Sequence, residues 1–232
     1  MKILIGIQYY FPYRSGLTEY ARMLGEELVR RGHRVTVLTS RSSPEFKEEE
    51  EIGGVRVLRL PVMFKLNRAC FMPRFLPMLA RLGKDHDIIN LHFPMPECLP
   101  AAFLSRKSRL VVTYQCDITV QGNPFIYFLQ AVYFAALHRS LRYPRKIVAL
   151  NREYAEASAI RPFLEKVVPI FPPIKPLDGT SPSALKTRLG ITEGPVIGFL
   201  GRVVFEKGLG DLVAAMPRIK ESHPGATLVI GG

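Results

Sequence analysis

Two cations, Arg202 and Lys207, follow the apolar run PVIGFLG in the segment GRVVFEKGLG. A guanidinium grips phosphate through a planar fork and an ammonium adds a point charge, so the pair suits a diphosphate clamp. If Phe199 and Leu200 close a strand and a helix opens near Lys207, the lysine sits at the positive end of the helix dipole. A cation there costs about 0.3–1 kcal/mol, which a bound anion would remove. The competing reading is two solvated side chains, with Glu206 neutralising its neighbour. A second stretch, QYYFPYRSGLTEYA, puts Ser15 and Gly16 at the start of a helix. Free N–H groups and the dipole favour an anion there, and glycine lets a phosphate come close; a glycine needed only for its turn explains the residue equally well. A third, LHFPMPE with TYQCDITVQG, sets His92 and Asp117 behind two strands, in position to line a ligand pocket. A hydrogen-bonded structural histidine and an aspartate capping the next turn are the alternatives.

The elements around these residues alternate. Ile3 to Ile7 reads as a strand, TEYARMLGEELVRRG as a helix with Ala21, Leu24 and Leu28 on one face, and RVTVLT as a second strand. That is a βαβ unit, whose right-handed crossover builds parallel sheets. After the acidic run EFKEEEE, expected as a solvated loop, VRVLRL, DIINLH, RLVVTY, KIVAL and KVVPIF read as strands. Helices are expected at FLPMLARLG and near 97–105, 125–141 and 151–160. The segment PIFPPIKPLDGTSPS carries five prolines in fifteen residues and marks a linker. Beyond it the pattern restarts with ALKTRLG, PVIGFLG, LGDLVAAMPRIKESH and ATLVIGG. Residues 1–171 are therefore expected to form one doubly wound α/β domain, and 172–232 a linker and the opening of a second. Ligands of open α/β sheets bind outside the carboxyl ends of the strands, which is where all three stretches fall.

Composition narrows the partners. Of the 232 residues, 47% are hydrophobic, too many for a disordered chain, and the formal charge of +12 directs attention to acidic ligands or surfaces. A nucleic-acid partner would rest on charge alone, since no RNP, KH, zinc-finger or helix-turn-helix pattern is present. Cys70, Cys98 and Cys116 are odd in number with no CxxC pair, which points to a reducing compartment and no metal site. The tract FIYFLQAVYFAALH, broken by Gln130, is shorter than a bilayer span and reads as a buried or membrane-surface helix.

GRVVFEKGLGDLVAAMPRIKESHPGATLVIGG resembles the GR…EKG segment that opens the second domain of GT4-like glycosyltransferases of the GT-B fold. The loop at Ser15-Gly16, LGEELVRRGHRVTVLT, DIINLHFPMP and VVTYQCDI are similar to the N-terminal half of that family, so the resemblance covers most of the chain. It implies two Rossmann-like domains and transfer of a sugar, with retention of configuration, from a nucleotide-sugar such as a UDP- or GDP-sugar. No further cofactor or metal is implied. By position, Arg202 and Lys207 would hold the donor diphosphate, Gly16 would approach it from the first domain, and His92 and Asp117 would lie on the acceptor side. Many relatives carry a glycine where this chain has Ser15, and a histidine at the position of Gln115. Glutamine cannot take up a proton, so Gln115 is left with positioning.

The resemblance also implies a later segment with two glutamates gripping the donor, which these residues do not include. The 232-residue chain is thus expected to be a truncated or split transferase without normal turnover, with a second chain supplying the remainder as an alternative. In that alternative the first domain serves as a non-catalytic acceptor-, membrane- or partner-binding subunit. The acceptor would be a glycan, a glycolipid or a lipid-linked sugar. A cytoplasmic location is expected. MFKLNRACFMPRFLPMLARLGK interleaves Phe64, Phe71 and Phe75 with Lys65, Arg68, Arg74, Arg81 and Lys84, a composition that suits a peripheral place on anionic lipid, and a core-facing helix with a solvated basic side explains it equally well.

Overall fold

The computed structural model describes residues 1–66, 69–107, 109–118, 123–174 and 186–232. Arg68, Gln121, Gly122 and the linker residues 175–185 lie outside them, as does the side chain of Glu206. Two compact units are present, Met1–Ile174 and Lys175–Gly232.

The first unit is an eight-stranded sheet ordered β10-β9-β8-β7-β1-β2-β4-β3. Its strands are β1 (Lys2–Gly6), β2 (Arg34–Arg41), β3 (Glu49–Ile52), β4 (Val55–Pro61), β7 (Ile88–Phe93), β8 (Arg109–Tyr114), β9 (Lys146–Ala149) and β10 (Val167–Pro169). A small hairpin, β5 (Phe64–Leu66) with β6 (Ala69–Phe71), leaves the end of β4. All pairings in the large sheet are parallel except β3 with β4. The apolar residues of β1 alternate between two cores, as a sheet covered on both faces requires. Ile3, Ile5 and Ile7 join Val35, Val37, Val55 and Val57 under α1 (Gly16–Arg30). Leu4 and Leu38 join Phe75, Leu79, Ala101 and Leu137 on the other side, where α2 (Phe75–Gly83), α3 (Cys98–Ser105) and α4 (Pro124–Ser140) pack side by side. Helix α5 (Arg152–Ala157) and a 3-10 turn, Arg161–Lys166, lead into β10.

The acidic run is not a loop along its whole length. Glu49, Glu50 and Glu51 form the antiparallel edge strand β3, in register with Leu58, Val57 and Arg56. Carboxylate repulsion is offset by the arginines of β4: Arg56 pairs with Glu49 at 2.6 Å, and Arg59 with Glu50. The stretch Met63–Lys84, read as membrane-suited, divides. Cys70, Met72, Phe75 and Leu79 are core residues, whereas Met63, Phe64 and Leu66 on the hairpin are exposed.

In the second unit β11 (Val196–Leu200) pairs in parallel with β12 (Thr227–Gly231), joined through a 3-10 turn at Phe205–Lys207 and helix α6 (Leu209–Ser222). Leu200 and Phe205 are exposed to 90% and 100%.

Candidate functional site

The strand order of the first unit reverses at β1, which has β2 on one side and β7 on the other. Such a reversal is the usual ligand position in open α/β sheets, outside the carboxyl ends of the strands. The segment after β1 ends at Ser15, the N-cap of α1. Its Oγ accepts from the Thr18 N–H at 3.2 Å, and its own N–H donates to Thr18 Oγ1 at 2.9 Å. This reciprocal box fixes the helix start, so Ser15 itself closes the loop. Gly16 follows as the first residue of α1, exposed, and a Cβ added there would meet nothing within 4 Å. The first turn of α1 thus presents backbone N–H groups along an open approach, which suits an anion.

Two residues that the sequence did not single out shape the loop before Ser15. Gln8, buried at the end of β1, donates to the Cys70 carbonyl at 3.0 Å and accepts from the Cys70 N–H at 2.7 Å, and its amide also reaches Glu97 at 3.3 Å. Burial raises the Glu97 carboxyl above its ordinary value. Arg59, with no exposed side-chain surface, donates to the Phe11 carbonyl at 2.6 Å and to that of Lys47 at 3.1 Å. It thereby ties the loop to β4.

His92 sits near the carboxyl end of β7, 1% exposed, in a chain of polar side chains crossing from β8 and back. The direction of that chain follows from one fixed acceptor. The Val111 carbonyl can only accept, so the group of Asn90 facing it at 3.4 Å is the Nδ2 amine, which also donates to Thr113 Oγ1 at 2.9 Å. Asn90 Oδ1 is then turned to His92 Nε2 at 2.8 Å, which must carry the proton. His92 Nδ1 is left to accept from Gln115 Nε2 at 3.1 Å. Burial pushes the imidazole down to about 3, consistent with a neutral ring whose two nitrogens are both occupied. The Tyr20 ring of α1 lies 5.9 Å from it, centroid to centroid, linking the anion-suited helix to this chain.

Asp117 is brought to the same edge but is engaged as a brace. The Tyr114 hydroxyl donates to its Oδ1, which also accepts from the Ala159 N–H at 3.2 Å. Its own N–H donates to the Tyr154 hydroxyl at 2.9 Å. Burial, followed by the neighbouring carboxylate, raises the Tyr154 phenol to about 12 and Tyr114 further still.

Arg202 and Lys207 belong to the second unit. Arg202 follows the carboxyl end of β11, and Lys207 closes the 3-10 turn one residue before α6 begins its cap at Gly208, which adopts φ 65°. Both side chains are exposed on the segment that joins strand to helix. Gly16, His92, Gln115 and Asp117 thus share one edge of the first unit, and Arg202 and Lys207 one loop of the second.

A parallel sheet reversing at β1, with a capped, open helix start beside the reversal, defines a Rossmann-like α/β unit. Solved structures of the same fold place it in the GT-B class. Sucrose-phosphate synthase from Thermosynechococcus elongatus superposes with a TM-score of 0.65 at 18% identity, over 100% of this chain and 62% of that one. A glycosyltransferase from Rickettsia africae gives 0.61 at 13%, over 100% and 68%. The chain belongs to the glycosyl transferase 4-like domain family, whose profile matches residues 15–169. Among curated relatives, the GDP-mannose-dependent alpha-(1-6)-phosphatidylinositol monomannoside mannosyltransferase of Mycolicibacterium smegmatis is 26% identical over 95% of this chain and 58% of its own length. The O-antigen chain mannosyltransferase C of Escherichia coli is 28% identical over 73% and 45%. The chain therefore spans roughly half of the length of these relatives.

Proposed function

We propose that the protein is a glycosyltransferase that moves a sugar from a nucleotide-sugar to a glycan, glycolipid or lipid-linked acceptor. The supporting observation is the Ser15-capped start of α1 at the sheet reversal, open in front of Gly16, on a chain of this family. In this reading Arg202 and Lys207 of the second unit neutralise the donor diphosphate and meet the charge on the departing nucleoside diphosphate, while the first turn of α1 in the first unit is suited by itself to a phosphate. Gln115, oriented by His92, positions a hydroxyl at the acceptor side, and Asp117 holds the β8 end to α5. Transfer proceeds with retention of anomeric configuration. A GDP-sugar is the first donor to try, because two of the relatives are mannosyltransferases and one is named as GDP-mannose-dependent. The site works in the cytoplasm, at a membrane face. These 232 residues alone turn over poorly, since Leu200 and Phe205 of the donor-side unit lack apolar cover.

Calorimetric titration with GDP, UDP and their sugar conjugates tests the donor site. Arg202→Ala and Lys207→Ala are each expected to weaken the best nucleotide by about tenfold or more, the worth of one charged hydrogen bond. Unchanged binding in both variants would remove the clamp. If the chain binds no nucleotide but captures an acceptor lipid, the alternative of an acceptor-binding subunit completed by a second chain takes precedence. The anomeric configuration of any product, read by proton NMR, tests retention.

A further inference from the structure

Helix α4 (Pro124–Ser140) is apolar on every side, yet only one side is packed. Tyr133, Phe134, Ala136 and Leu137 lie against the core. On the adjoining stripe Phe125, Phe128, Leu129 and Val132 are exposed to 64, 62, 38 and 51%. Their spacing is that of one helical stripe. The helix start is pinned, because Asn123 Oδ1 accepts from the Ile126 N–H at 3.1 Å and Pro124 occupies the first turn. A helix that is apolar all round is ordinarily buried all round, and a contiguous exposed apolar face marks a contact surface.

Charge identifies what it contacts. The same stripe continues through Ala135 to Arg139, and beyond the helix come Arg142, Arg145 and Lys146, all exposed. From Cys98 to Lys146 the sequence holds seven Lys and Arg against one acidic residue, Asp117, which is turned inward to Tyr114 and Ala159. An apolar strip followed by cations matches a bilayer surface, which offers acyl chains beneath anionic phosphates. Among the described residues no helix is long and apolar enough to cross a membrane.

We infer that α4 docks the protein on an anionic membrane, lying along the interface. Phe125, Phe128, Leu129 and Val132 enter the boundary between headgroups and acyl chains, and Arg139 and Arg142 meet lipid phosphates. The inference rests on the proposed transferase reading and deepens it. Helix α4 begins beyond the carboxyl end of β8, the edge that carries His92 and Gln115, so docking by this helix brings the headgroup of a lipid-linked acceptor to the acceptor side.

The sequence contains no tryptophan, so Phe128→Trp provides a single fluorescent reporter on the stripe. Its emission is expected to shift to the blue on adding vesicles of equimolar phosphatidylcholine and phosphatidylglycerol, and far less with phosphatidylcholine alone. In vesicle flotation, F125E/V132E is expected to lower the partition coefficient onto the vesicles at least about 30-fold, with its thermal unfolding unchanged. Arg139→Glu with Arg142→Glu is expected to weaken binding to the anionic vesicles. Flotation equal in F125E/V132E and the parent overturns the inference, as does absence of flotation. Blue-shifted emission from the Phe128→Trp variant without vesicles, accompanied by a doubled mass in light scattering, also overturns it and assigns the stripe to a second copy of the chain. Nucleotide titration is read separately, so failure of the transferase reading leaves the flotation result standing.

Discussion

Replacing His92 with glutamine should change how stability depends on pH, by an amount that follows from burial. In the folded protein the imidazole is held down at about 3, against an ordinary value of 6.5. Unfolding exposes the ring, which then takes up a proton below about pH 6.5. Between these values the unfolded state binds more protons at this site than the folded state does, so stability falls as pH falls. The contribution is complete above about pH 6.5 and is lost progressively toward pH 3. At about pH 5 the ring has cost about 2 kcal/mol, roughly 1.5 pH units at about 1.4 kcal/mol each. For a unit of this size that lowers Tm by about 4–8 °C. Surface carboxylates titrate over the same range, which is why the comparison must be with His92→Gln, a neutral side chain of similar length. Thermal unfolding followed by circular dichroism at about pH 7.5 and about pH 5 should show the parent losing about 4–8 °C more than the variant. Parallel losses would refute the reasoning: the ring would then be charged in the fold, and the hydrogen-bond direction from Val111 to Gln115 would be wrong.

Arg59→Met should destabilise by about 3 kcal/mol, because it strips the Phe11 and Lys47 carbonyls of a buried donor and leaves Glu50 without its partner; a Tm loss of about 6–12 °C in thermal unfolding checks this. Gly16→Val should leave Tm within about 3 °C, since the added side chain meets open space. The same variant should raise the nucleotide Kd by about tenfold or more in calorimetry, and unchanged affinity would show that no phosphate reaches this turn. Asp117→Ala should cost about 1–3 kcal/mol by orphaning the Tyr114 hydroxyl and the Ala159 N–H, and leave nucleotide affinity as it was. A normal Tm with loss of acceptor use would instead make Asp117 a group that touches substrate.

How much of this was legible in advance depends on whether the cause was local. The strands β1, β2, β7 and β8 could be read because strands buried on both faces are short apolar runs, and α1 because its apolar spacing and terminal Gly32 are local signals. Strand β3 could not. Three consecutive glutamates argue for solvent, and only the arginines of β4, several residues later and diagonally across the strand pair, make a paired strand of them. Ser15 was read as a small stand-in for glycine, although Thr18 three residues on already spells the reciprocal cap. Helix α4 was legible as a helix, but not which of its apolar sides would be left uncovered, since that depends on where α3 and the sheet lie. Gln8 and Arg59 gave no sequence signal, because each acts on backbone far away in the chain.

The acceptor side shows the same division most plainly. Judged by residue type, the glutamine at position 115 is a loss against the histidine that the family resemblance implies there. Register changes its meaning: His92 stands beside Thr113 on the neighbouring strand and reaches Gln115 through Nδ1. The histidine offers no free ring nitrogen where it stands, because Nε2 faces Asn90 and Nδ1 faces Gln115. What it can do is set direction. With the Val111 carbonyl fixing Asn90, Asn90 fixing the His92 tautomer and His92 taking the Gln115 amine, the Gln115 carbonyl oxygen becomes the acceptor end of the chain. A side chain that holds no proton of its own is thereby given one orientation by a backbone carbonyl further back on β8, relayed through two side chains of β7.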